Sequence, residues 1–134
     1  MKKWLLGLAL LGGCVTTEAT EKKSAKVSAD VAAADKLRAV LAALPRCEPG
    51  AAAGLLAVNP TMCTKMFCDH ACCNHCGWAA TLETKNGQKQ PVSDMRAREV
   101  LQVSDSALEC EIDAWAKVLA TQSLAVEGTA CVVR

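Results

Sequence analysis

Five of the nine cysteines and both histidines of this chain fall within Cys63–Cys76, CTKMFCDHACCNHC. Thiols and imidazoles at these spacings support three chemistries. In an oxidising compartment they form a disulfide framework. In a reducing one, Cys68, His70, Cys72, Cys73, His75 and Cys76 can supply the four soft ligands that tetrahedral zinc or copper takes. The third is thiol–disulfide exchange, because Cys73-Asn74-His75-Cys76 is a C-x-x-C with a histidine that favours the reactive thiolate. No G-x-S-x-G, Walker or H-E-x-x-H pattern occurs, and a Ser-His-Asp site would have to borrow a histidine from the cluster. Glu109, Glu111 and Asp113 are a solvated face, so no catalysis is expected.

The compartment decides among these, and the first residues of the chain bear on it. Met1-Lys2-Lys3 is followed by an apolar run, Trp4–Gly13, and then Cys14. A charged start and a short apolar run form a secretory signal. As a helix that run rises only ~15 Å, about half a hydrocarbon core, so it is not a membrane span.

Leu11-Gly12-Gly13-Cys14 resembles the lipobox of bacterial lipoproteins. The resemblance implies cleavage before Cys14, acylation of its thiol and usually of its freed amine, and attachment to the membrane. Two or three acyl chains hold a protein firmly where one does not. Val15 stands where an Asp would imply inner-membrane retention, so the resemblance points to the outer membrane. Cys73–Cys76 is also similar to the C-x-H-C of periplasmic oxidases with a thioredoxin fold, but no βαβ context surrounds it and the flanking cysteines compete. Ala71–Cys76 resembles the A-C-C-N-x-C run of uncharacterised cysteine-rich lipoproteins of myxobacteria, which supports an envelope location and implies no activity.

With Cys14 carrying lipid, an even eight cysteines remain: Cys47, Cys63, Cys68, Cys72, Cys73, Cys76, Cys110 and Cys131. The expectation is four disulfides and no cofactor. The cluster holds five, so at least one bond must leave it. If Cys110 pairs with Cys131, Cys47 reaches the cluster; otherwise the outsiders bond into it. Removing residues 1–13 from 134 leaves 121, enough for one domain, with 13 basic and 14 acidic side chains. No basic block points to nucleic acid, and nothing identifies a small-molecule substrate. The remaining aromatics are Phe67, Trp78 and Trp115, so the core is built from Ala, Val and Leu and gains from covalent staples.

These residues must be positioned by a small α+β domain with an N-terminal helix and a short antiparallel sheet. Residues 1–13 are the signal peptide, 14–26 the lipidated cysteine with a polar flexible tether, and 27–134 the cysteine-rich domain. Val27, Val31, Ala34, Leu37, Leu41 and Leu44 recur at helical spacing up to Pro45. They form a core stripe, with a partner-binding face as the alternative. Thr61 to His75 is expected to be a short helix with Cys68, Cys72 and Cys76 on one face, or else a knotted loop. Trp78–Glu83 alternates as a strand, Asn86-Gly87 turns, and Pro91 marks an edge strand. Residues 98–103 are read as a strand. Leu108–Ala120 fits both periods; Ser106 and Glu109 as a capping box favour helix. Ser123–Val133 is read as one strand with a bulge at Gly128. The chain is thus expected to be a structural or interaction lipoprotein of the outer membrane, with other envelope proteins as partners. The metal and redox alternatives through the cluster stay open.

Overall fold

A computed structural model describes residues 17–67 and 74–133. Its elements are α1 (Thr17–Ala43), β1 (Gly54–Lys65), β2 (Asn74–Thr84), β3 (Lys89–Val92), α2 (Asp94–Leu101), β4 (Ala107–Leu108), α3 (Glu109–Leu119), β5 (Ser123–Ala125) and β6 (Cys131–Val133). The class is α+β, as the sequence implies. Five strands run in the order β3-β2-β1-β5-β6, and β4 joins the same sheet by pairing with β2, all antiparallel.

Alternation in β2 buries Cys76, Trp78, Ala80 and Leu82 on one face of the sheet. Leu56 and Val58 of β1 lie opposite Leu82 and Ala80 and extend that face. Ile112, Trp115, Val118 and Leu119 of α3, Ala97, Val100 and Leu101 of α2, and Leu37 and Leu41 of α1 complete one core over it. The helical layer on one face leaves the other wet, the usual arrangement for an antiparallel sheet. Trp78 and Trp115 meet edge to face at 6.2 Å and 74°, a preferred aromatic geometry.

α1 begins ten residues earlier than its apolar stripe. Residues 17–26 have no core-facing period but are rich in Ala, Glu and Lys, whose intrinsic helix propensity is high. Within the stripe Ala34, Leu37 and Leu41 are buried, whereas Val27 and Val31 are more than half exposed.

Four local expectations are corrected. Thr61–His75 is not a helix: Thr61–Lys65 continues β1, and Asn74–Cys76 opens β2 against it. Residues 98–103 are not a strand but fall largely in α2. There Ser93 Oγ accepts the Arg96 amide at 3.2 Å, and Gln102 ends the helix at φ 53°. α3 is not capped by Ser106 and Glu109; β4 occupies Ala107–Leu108, and the Leu108 amide donates to the Glu111 carboxylate at 3.4 Å. Ser123–Val133 is two strands, with Gly128 at φ 68° in the turn between them rather than in a bulge.

The β2–β3 turn is as expected. The Thr84 amide donates to Gln88 O and the Gly87 amide to Thr84 O, both at 2.9 Å, with Gly87 at φ 75°. A turn closed by a left-handed glycine matches the twist of the strands it joins.

Candidate functional site

The described parts of the cysteine cluster, Cys63–Lys65 and Asn74–Cys76, are the paired end of a long β-hairpin. β1 and β2 pair from Gly54↔Thr84 to Lys65↔Asn74, and the chain between Lys65 and Asn74 connects them. Cys63 lies opposite Cys76, Cα atoms 4.0 Å apart, and the two sulfurs are bonded. This facing depends on one irregularity. Gly54, Leu56 and Val58 of β1 are buried on the core face, and an uninterrupted ladder beyond Pro60↔Trp78 would place Met62 opposite Cys76. The register shifts between Pro60 and Met62, so Thr61 is an extra residue. That bulge turns Cys63, itself exposed, to the sheet face that carries Cys76, and Met62 to the other face beside Gly77. The fit is close, since a Cβ on Gly77 would sit 3.1 Å from Thr61 Oγ1.

The hairpin end is held from below. His75 and Cys76 pair with Leu108 and Ala107 of β4, and Asn74 Nδ2 donates to Glu109 Oε2 at 2.8 Å. Cys110, in the first turn of α3, is fully buried and disulfide-bonded. At the far side of the molecule Cys47 bonds to Cys131, Cα–Cα 4.9 Å, spanning 84 residues. The backbone is zipped there as well, with the Val132 amide donating to Pro45 O at 2.9 Å and the Cys47 amide to Val132 O at 3.1 Å. Two cysteines outside the cluster thus pair with each other. This corrects the expectation that Cys47 would reach the cluster or that all outsiders would enter it.

Of the sequence-derived ligands, His75 is half-buried at the start of β2 and Cys76 is tied to Cys63. Cys76 therefore offers no thiolate to a metal and no partner to Cys73. Cys14, Cys68, His70, Cys72 and Cys73 lie outside the described residues. Among the described residues no three His, Cys, Asp or Glu side chains come together as a metal-ligand group. No described helix is long and apolar enough to cross a membrane.

No family model, curated protein or solved structure matches this chain. Its site is read from its own residues.

Two features escaped the sequence reading. A groove of about 360 Å³ between α1 and α3 is floored by Ala34, Ala114 and Val118 and rimmed by Asp30, Arg38 and Lys117. Asp30 Oδ1 is buried there without a hydrogen-bond partner. The second is the apolar dressing of the hairpin end, where Met62, Met66 and Phe67 are 72, 51 and 106% exposed. Their signal, M-x-x-x-M-F, was in plain view but overshadowed by the cysteines among which it sits.

Proposed function

We propose that this chain is a lipoprotein of the bacterial envelope, anchored in the outer membrane by acyl chains on Cys14. Its disulfide-closed domain serves as a structural or interaction module for other envelope proteins, not as a catalyst. The observation that carries this reading is the Cys47–Cys131 bond. A disulfide that closes most of a domain persists in an exported protein and is rare in a reducing cytosol. Leu11-Gly12-Gly13-Cys14 supplies the address, and Cys63–Cys76 adds a second staple to a core short of large side chains.

Cys14→Ser tests the anchor. The variant is expected to lack acyl mass and to move from the membrane to the soluble fraction, and unchanged processing and fractionation would overturn the reading. Intact mass after alkylation, with and without reduction, tests the rest. No free thiol and no bound metal is the expected result for the mature protein. Four or more free thiols with stoichiometric zinc or copper would replace this function with metal binding through the cluster.

A further inference from the structure

We infer that the end of the β1–β2 hairpin is a second contact with the phospholipid surface, Met66 and Phe67 entering the headgroup–acyl boundary of the bilayer that holds Cys14. The inference rests on the lipoprotein reading and adds a site to it.

The argument is one of placement. α1 and α3 run side by side in the same direction: Lys26 Nζ lies 3.9 Å from Asp113 Oδ2, Val31 and Ala34 flank Ala114 and Val118, and Arg38 and Leu41 reach Gln122. The N-terminal ends of both helices therefore point the same way. The hairpin points that way too. β5, which follows α3, pairs with Gly54 at the start of β1, whereas β4, which precedes α3, pairs with β2 beside the Cys63–Cys76 bond. Asn74 at the hairpin end touches Glu109, the first residue of α3.

The two projections are matched in length. From Lys26 back to Thr17, α1 extends ~13 Å past the level of Asp113 at 1.5 Å per residue. From Asp113 back to Glu109 is ~6 Å of helix, and Met66 and Phe67 follow Lys65 by up to ~7 Å of extended chain. Cys14 is three residues before Thr17, within ~11 Å of chain. The start of α1, three residues after Cys14, and the exposed apolar residues thus leave the domain at one end and at comparable height.

The chemistry of the hairpin end suits that location. A fully exposed Phe67 beside a half-exposed Met66 is apolar area that water opposes. Lys65, the last residue of β1, can keep its ammonium among the headgroups while its stem lies along apolar surface. An acyl anchor shares its membrane affinity with any apolar side chain it brings to the interface, since attachment by two weak elements exceeds either alone.

The test uses the lipidated protein purified from the membranes of a producing bacterium and reconstituted into phosphatidylethanolamine–phosphatidylglycerol vesicles with brominated acyl chains. A tryptophan reporter is introduced by Phe67→Trp, and the control is Lys85→Trp in the β2–β3 turn at the opposite end of β2. Trp78 and Trp115, 4 and 5% exposed, give a common background. About twofold quenching of the position-67 signal is expected for a ring that sits ~5–10 Å into the interface, with none for position 85. Equal quenching at both positions, or a blue-shifted position-67 signal that bromine leaves alone, would overturn the inference; the latter would assign the hairpin end to a protein neighbour. The acyl mass on Cys14 is read on the same sample. Acylated protein with an unquenched position 67 removes the second contact and leaves the anchor standing. Unacylated protein that ignores the vesicles removes both, and unacylated protein quenched at position 67 removes the anchor alone.

Discussion

Gly54 shows how one residue limits what the sheet can become. It pairs with Thr84 on one side and Leu124 on the other, where β1 passes from the long hairpin to the C-terminal strands. A Cβ there would lie 2.3 Å from the Glu83 carbonyl oxygen, and that oxygen belongs to backbone that cannot step aside. Gly54→Ala is therefore expected to cost about 1–3 kcal/mol, the usual range for overpacking, read as a lowered urea midpoint. Arg96 carries a different load. Its Nε donates to Val126 O at 2.9 Å and its Nη2 to Gly128 O at 2.5 Å, while Nη1 pairs with Glu99 at 2.8 Å. A single guanidinium thus fastens the β5–β6 turn to α2. Lysine has one point charge and no fork, so Arg96→Lys should lose at least one carbonyl contact. A loss of about 1.5–3 kcal/mol is expected, together with faster amide exchange in the 126–130 turn.

At the scale of elements, the facing of Cys63 and Cys76 depends on Thr61 standing out of the ladder. Were Thr61 to pair in it, Met62 would lie opposite Cys76 and Cys63 would turn to the other face. Deletion of Thr61 brings Met62 directly after Pro60, keeps Met62 against Gly77 and Cys63 against Cys76, and is expected to add no free thiol by alkylation and mass spectrometry. Two additional free thiols would show that the bulge itself, and not the pairing register, holds the bond. The same element explains the expectation of a helix from Thr61 to His75. Cys68, Cys72 and Cys76 fit an i, i+4 face, and nothing local opposes it. Pairing of Met62–Lys65 with Asn74–Gly77, locked by a covalent bond, decides against it. Residues 98–103, read as a strand, are the opposite case: the Ser93 cap and the burial of Ala97, Val100 and Leu101 at spacings of three and one select the helix.

For the molecule as a whole, the two assigned disulfides differ in what they hold. Cys47–Cys131 closes a span of 84 residues and joins the end of α1 to the last strand, whereas Cys63–Cys76 closes 13 within one hairpin. Loop-closure entropy makes the long bond worth between about 4 and 5 kcal/mol and the short one about 3. The double variant Cys47→Ser/Cys131→Ser should therefore unfold at lower urea than Cys63→Ser/Cys76→Ser, and the reverse order would show that the hairpin bond carries the fold. With few aromatics to bury, either loss is a large part of the marginal stability expected of a domain this size.

The amino-acid sequence determined what depends on short range and on composition. The helix ended by Pro45, the alternation from Trp78 to Leu82, the Asn86-Gly87 turn and the edge position of Pro91 are each dictated by residues within a few positions. The need for staples follows from an Ala-rich core, and Leu11–Cys14 with the even count of the remaining cysteines makes disulfides the expected form. Which cysteines meet was decided only in three dimensions. Cys47 and Cys131 are joined because Pro45–Cys47 lies along Val132, a contact between the two ends of the domain that no local pattern encodes. Cys63 and Cys76 are joined because a one-residue bulge reverses a strand's faces, and a period of two gives no warning of where it will be interrupted. The tertiary structure likewise brought the first turn of α1 and the apolar hairpin end to one side of the molecule, since the relative direction of packed elements is set by how the whole core closes.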